Sequence, residues 1–163
     1  MDDDRFELAP PLHLVAGETV CWRCGATMPV VAILCENVES PDEGPFILSD
    51  TAVLPRELAD FIQRRCPTYR LTYSKTVGGK YYANNCPKCG VISGDFYLHS
   101  EPGAPFFPTK AEEARTLTIE LIPLTEKCVV RSGCGYGTGD LILQYARRRV
   151  GMTTPNADDT RPN

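Results

Sequence analysis

Long apolar runs are missing from this chain of 163 residues. None approaches the roughly 20 consecutive apolar residues that cross a bilayer. The opening Met1-Asp2-Asp3-Asp4-Arg5 lacks the basic and then apolar pattern of a secretory signal. The expectation is a soluble, cytoplasmic protein. Histidine is nearly absent too, with His13 and His99 the whole supply. No H-x-E accompanies the cysteines, and no zincin, P-loop or nucleophile-elbow pattern occurs, so the chain reads as no enzyme. Gly133-Cys134-Gly135-Tyr136-Gly137-Thr138-Gly139-Asp140 is glycine-rich ahead of a helix but lacks the Lys-Ser/Thr ending of a phosphate-binding loop. It reads as a flexible turn.

Cysteine, by contrast, is plentiful, with eight in the chain. Four of them form two short pairs, Cys21-Trp22-Arg23-Cys24-Gly25 and Cys86-Pro87-Lys88-Cys89-Gly90. Two residues between thiols let both sulfurs point to one side of a turn, and the glycine that follows can adopt the left-handed conformation such a turn needs. A lone C-x-x-C is also the signature of a redox dithiol, but those sit at a helix start in a βαβ pattern, whereas both pairs here lie between strand-like stretches. A reducing compartment likewise disfavours two disulfides. Cys21, Cys24, Cys86 and Cys89 are therefore expected to hold one Zn²⁺ per chain. Four protein sulfurs leave no open position for water, so the role is structural. Cys35 and Cys66 read as small buried hydrophobes. Cys128 and Cys134 flank five residues, an unusual ligand spacing with nothing to complete it. His99 follows a strand-like stretch and reads as a hydrogen-bonded or surface residue.

The remaining pattern predicts an α+β domain, a split four-cysteine zinc ribbon with antiparallel β-hairpins, an inserted short helix and a C-terminal helix. The first hairpin runs through His13-Leu14-Val15 and Glu18-Thr19-Val20 into the first pair and leaves along Met28 to Leu34. Residues 36 to 54 read as an acidic loop with one apolar stretch, Phe46-Ile47-Leu48. A helix is expected over Pro55 to Arg65, with proline at its start, early acid, late base, and Leu58, Phe61 and Ile62 on one face. Tyr69 to Thr76, the Gly78-Gly79 turn and Lys80 to Ala83 make a second hairpin leading into the second pair. Val91-Ile92 and Asp95 to Leu98 read as strand, Lys110 to Ala114 as one helical turn, Leu117 to Ile122 as strand, and Asp140 to Arg149 as the terminal helix. A single domain over 1–152 with a disordered polar tail at 153–163 is the simplest organisation. There is no internal repeat beyond the cysteine pairs.

The pairs, the tract Gly94-Asp95-Phe96-Tyr97-Leu98-His99 and the loop Gly103-Ala104-Pro105-Phe106-Phe107-Pro108 together resemble a group of poorly characterised bacterial zinc-ribbon proteins with split CWxCG and CPxCG knuckles. The resemblance spans roughly residues 18 to 108. It implies the ribbon and its metal.

Charge is distributed unevenly. The formal net charge is −4, yet from Phe61 to Gly94 there is no Asp or Glu beside Arg64, Arg65, Arg70, Lys75, Lys80 and Lys88. Tyrosines, Tyr81 among them, interleave with these bases, which is the composition of a surface that stacks on bases and contacts phosphates. The acidic loop with Asp42 and Glu43 points to the opposite partner, a basic protein steered by complementary charge. The leading expectation is a non-enzymatic zinc-stabilised interaction protein of inhibitor, immunity or adaptor type that binds a protein partner. The alternative is a nucleic-acid-binding zinc-ribbon protein using segment 64–88. No membrane partner is expected.

Overall fold

Six consecutive residues, Val30 to Cys35, are apolar, and a strand with no polar alternation must be covered on both faces. In the computed structural model, which describes residues 5–149, they lie in β3 (Thr27–Cys35) at the centre of a seven-stranded sheet. The other members are β1 (Arg5–Leu8), β2 (Leu12–Val20), β4 (Phe46–Val53), β8 (Thr118–Leu121), β9 (Cys128–Tyr136) and β10 (Arg147–Arg148). Their order is β1-β9-β4-β3-β2-β8-β10, antiparallel except for the β8–β10 pair. A second sheet joins β5 (Tyr69–Ser74), β6 (Gly79–Asn85) and β7 (Ile92–Ser93). Four helices complete the fold: α1 (Arg56–Arg65), α2 (Asp95–Ser100), α3 (Ala111–Ala114) and α4 (Gly139–Tyr145). The protein is thus α+β and mostly strand. Among the described residues no helix is long and apolar enough to cross a membrane.

Side-chain alternation along β3 divides the core in two. Val31, Ile33 and Cys35 point to one face, where Leu58, Phe61 and Ile62 of α1 cover them together with Cys66 and Tyr69. Val30, Ala32 and Leu34 point to the other face and meet Leu98, Phe106, Leu117 and Ile142. Cys21 and Cys86 belong to this second cluster. The paired cysteines are therefore rooted in the hydrophobic core.

The two sheets are clamped by one side chain. β3 and β4 pair only at Leu34↔Ile47 and Cys35↔Phe46, so the main-chain groups of Val31 have no β4 partner. Asn84 of β6 supplies it. Its Oδ1 accepts from the Val31 N–H at 2.9 Å and its Nδ2 donates to the Val31 carbonyl at 3.1 Å. The carboxamide thus completes a strand edge from another sheet.

Several expected elements differ. The loop expected over 36–54 contains strand β4, because its polar residues find partners: the Thr51 and Ser132 hydroxyls lie 2.9 Å apart, and Asp50 N–H donates to Asp95 Oδ2 at 2.8 Å. β9 takes in Gly133 to Tyr136 of the stretch read as a glycine-rich turn, and α4 begins at its Gly139. Gly133 faces Ser49 there, and a Cβ at that glycine would stand 3.3 Å from the Ser49 carbonyl oxygen. Asp95 to Leu98 forms helix α2 rather than strand; Asp95 and Leu98 turn inward while Phe96 and Tyr97 face solvent, a spacing of three that only a helix gives. The terminal helix stops at Tyr145; β10 and the residue after it, Arg149, then donate from Arg147 and Arg149 N–H to the Leu117 and Ile119 carbonyls, covering the β8 edge. The tail at 153–163 and the Asp2-Asp3-Asp4 run lie outside the described residues.

Asn84→Leu should leave both Val31 groups buried without partners. A loss of unfolding free energy on the order of 3 kcal/mol is expected in urea denaturation. A change within experimental error would show that the clamp is dispensable.

Candidate metal centre and the groove beside it

Each cysteine pair sits in the turn of an antiparallel hairpin, the first between β2 and β3 and the second between β6 and β7. The two turns repeat one hydrogen-bond set. Cys21 N–H donates to the Ala26 carbonyl at 2.8 Å and Cys86 N–H to that of Val91 at 2.8 Å. Gly25 and Gly90 N–H donate back to the carbonyls of Cys21 and Cys86 at 3.0 and 2.9 Å. Arg23 and Lys88 N–H point at the first sulfur of their own pair, both at 3.4 Å. The bend closes at Gly25 and Gly90, with φ of 77° and 85°, a region that side chains with a Cβ rarely occupy.

The turns face one another so that all four sulfurs lie within 4.8 Å of each other. The closest approaches cross between the pairs: Cys21 Sγ to Cys89 Sγ at 3.6 Å and Cys24 Sγ to Cys86 Sγ at 3.7 Å. A disulfide needs about 2.05 Å, so the cysteines are free. A tetrahedron with metal–sulfur bonds of about 2.3 Å has edges near 3.8 Å. The cluster has the size to hold a metal ion. Its electrostatics already favour partial ionisation. Backbone hydrogen bonding from Cys89, joined by that from Lys88, brings Cys86 down to about 6 against the cost of burial. Cys24 goes the other way: a backbone hydrogen bond from Ala26 lowers it, but desolvation and the surrounding sulfurs lift it to about 11. A bound cation removes that conflict by taking all four as thiolates. Among the described residues no other such cluster occurs, and Cys128 and Cys134 on β9 gain no further ligand.

Beside the second turn lies a groove of about 530 Å³, lined by Trp22 from the first turn, Tyr73 to Val77 from the β5–β6 turn, Tyr81, Val91, Ile92, Gly94 to Phe96, and Asp50 of β4. Its aromatic walls face solvent: Trp22 is 70% and Phe96 79% exposed. Trp22 is nevertheless held, because its Nε1–H donates to the Ile92 carbonyl at 2.9 Å. Two acids line the groove. Asp95 is only 6% exposed, and desolvation raises its carboxyl to about 7. Burial also raises Asp50, whose backbone stands in the left-handed region at φ 51°. His99 Nε2 lies 3.9 Å from Asp95 Oδ2, and burial lowers its imidazole to about 4. His99 belongs to α2, not to a strand as expected.

The candidate nucleic-acid contacts are scattered. Arg64, Arg70, Lys75, Lys80 and Lys88 are exposed. Arg65 is not available: its Nε and Nη2 donate to Glu120 Oε1 and Oε2, each at 2.7 Å, and its guanidinium lies 3.7 Å over the Phe61 ring. Tyr81 is 3% exposed and its hydroxyl accepts from the Asp95 N–H, so it presents no stacking face. Lys80 pairs across the hairpin with Tyr73, Arg70 with Ala83; these registers alternate, so the two bases occupy opposite faces. Asp42 and Glu43 are exposed in a loop whose shape is fixed by Asn37 Nδ2 donating to the Ser40 and Gly44 carbonyls. The pairing of Asp50 with Asp95 escaped the sequence reading; a helical spacing of Asp95, Leu98 and His99 was the available signal. Comparison with protein-family models, curated proteins and solved structures finds no match.

Asp95 and His99 have opposing effects on stability. From about pH 4 to 7 the folded carboxyl stays protonated while its unfolded counterpart ionises near 3.8, so Asp95 costs stability as pH rises. His99 costs stability as pH falls from 6.5 towards about 4, because only the unfolded imidazole takes up the proton. The two slopes cancel across their shared window. Asp95→Asn keeps an acceptor for Asp50 N–H and removes the first slope. Its unfolding free energy relative to the parent should be unchanged near pH 4 and higher by on the order of 3 kcal/mol near pH 8, measured by denaturation at each pH. A pH-independent difference would reject this assignment.

Proposed function

We propose that the chain is a zinc-stapled, non-catalytic binding protein that presents a rigid aromatic and acidic surface to a protein partner. The observation that carries the reading is the convergence of Cys21, Cys24, Cys86 and Cys89 from two like turns. Four thiolates complete the tetrahedral shell that Zn²⁺ favours and leave no position for a substrate or an activated water. In this reading the two hairpins form a split zinc ribbon. The metal fixes Trp22 of the first turn against Ile92 beyond the second, and so sets the shape of the groove.

The partner is proposed to be a protein because of what surrounds the metal. Trp22, Tyr73 and Phe96 expose large aromatic surfaces around one groove, and tryptophan and tyrosine are the residues that dominate protein interfaces. Asp42 and Glu43 stand on an ordered loop, where they would steer a basic protein of the kind met by inhibitors and immunity proteins. The nucleic-acid alternative has less support. Its bases divide between two faces of a hairpin, Arg65 is committed to Glu120, and Tyr81 is interior.

Native mass spectrometry of the reduced chain should find one zinc per molecule, and Cys86→Ser should lose it together with much of the stability. A Cys86→Ser protein that folds as well as the parent would falsify the staple. For the partner, affinity capture should retain one stoichiometric protein that is lost with Phe96→Ser or on reversing the charge of Asp42 and Glu43. Recovery of chaperones alone, or salt-sensitive retention of oligonucleotides instead, would count against a protein partner.

A further inference from the structure

The groove beside the metal centre combines two features that act on the same kind of ligand. Three aromatic residues, Trp22, Tyr73 and Phe96, line it. Trp22 is locked by its bond to the Ile92 carbonyl and offers a fixed face rather than a freely rotating one. Asp50, which is exposed, and Asp95, which is buried, are the acids of the groove's lining. Among the described residues neither carboxylate pairs with a lysine or arginine: Asp95 Oδ2 accepts only the Asp50 N–H, and the nearby His99 imidazole is neutral at pH 7. A mostly buried carboxyl without a counter-charge holds its proton, and a cation seated beside it favours the ionised form. Lys75 reaches the rim but forms no ion pair with either acid.

We propose that this groove receives a basic side chain, arginine or lysine, of the partner protein, with Trp22, Tyr73 and Phe96 on the faces of the cation and Asp50 and Asp95 as its counter-charge. The proposal rests on the reading of this surface as a protein-binding one. Cations are drawn to aromatic faces by the ring quadrupole, most strongly for tryptophan, and the attraction grows as the site is desolvated. A buried carboxylate adds a charge-assisted hydrogen bond, which for guanidinium is bidentate. A nucleic-acid strand meets the opposite field, since the acids in the lining repel phosphate. The acidic loop with Asp42 and Glu43 matches the same basic partner.

Trp22 is the one tryptophan in the chain, so its fluorescence reports on the groove directly. The probe for the zinc-loaded full chain is an acetylated arginine amide, with the citrulline amide as a neutral analogue of the same shape. Arginine should produce a saturable change in Trp22 emission, with citrulline binding about tenfold more weakly or worse. Asp50→Asn should weaken arginine severalfold; asparagine tolerates the left-handed backbone at that position, so the fold is kept. Phe96→Ser, at an exposed position, should weaken it as well with zinc content unchanged. Lys75→Ala should tighten arginine binding, because the rim cation repels the ligand.

Equal binding of citrulline and arginine, or no saturable response across the solubility range of the probe, overturns the proposal. So does weaker arginine binding with Lys75→Ala; if that variant instead loses an oligonucleotide bound by the parent, the occupant is nucleic acid. If arginine fails while a captured protein is still lost with Phe96→Ser, the protein-binding reading stands and the cation pocket falls. If arginine binds as expected while no protein is captured, the pocket stands and the protein-binding reading falls.

Discussion

The convergence of four sulfurs governs the rest of the structure. Cys24 and Cys86 are 62 residues apart, and the chain between them holds β3, β4, α1 and the β5–β6 hairpin. Closing so long a loop costs chain entropy, roughly (3/2)RT ln n, before any contact is gained. A short two-residue strand such as β7 does not meet that cost alone. The cluster does so where it matters, at the point where the small sheet approaches the large one. Asn84 then works one step upstream of Cys86: once the turns are joined, β6 is held against β3, and its carboxamide fills the gap that opens as β4 diverges. Cysteine cluster and clamp are two fixings of one joint.

The same joint explains why polar residues are tolerated inside. Asp95 follows β7 at the start of α2, so its position is set by the second turn, and it is carried under Asp50 of β4. Asp50 stands where the β4–β9 register shifts, between Ser49 and Val53. An irregularity of that kind leaves main-chain donors without ladder partners, and the Asp95 carboxylate accepts one of them. On the opposite face, Glu120 and Arg65 bind bidentately beneath α1. Each buried acid thus answers a geometric need of the packing. They differ in that Arg65 supplies Glu120 with a counter-charge and no lysine or arginine among the described residues does so for Asp95.

How much of this was legible in the sequence follows from how local each signal is. The cysteine pairs, α1 and both hairpins are encoded within a few residues: C-x-x-C-G, proline before an amphipathic run, Gly78-Gly79 between alternating strands. These appear where the sequence put them. β4 and β9 were not legible, because each depends on the other. Ser49, Asp50 and Thr51 look like loop residues until Ser132 and Asp95 take their hydrogen bonds, and Gly133 looks like a turn until Ser49 is seen opposite it. α2 was misread for a different reason. Its aromatic residues, Phe96 and Tyr97, favour strands by propensity, but they are the exposed ones, and the inward pair Asp95 and Leu98 sets the period.

The scattering of the basic residues carries a more general point. Read along the chain, Arg64 to Lys88 is an uninterrupted basic segment. In space it is divided by a helix end, two faces of a hairpin and the turn that carries the second cysteine pair. A β-hairpin sends successive side chains to opposite sides, so a linear run of charge becomes a surface only if its members share a register. Arg70 and Lys80 do not. The aromatic residues follow the opposite course. Trp22, Tyr73 and Phe96 come from three separated segments and line one groove: the cysteine turns bring Trp22 beside Ile92, and the β5–β6 hairpin adds Tyr73. The Trp22–Ile92 bond crosses between the two turns, whereas each turn's own hydrogen bonds stay within it, so the groove is the feature that depends most directly on the four cysteines staying together.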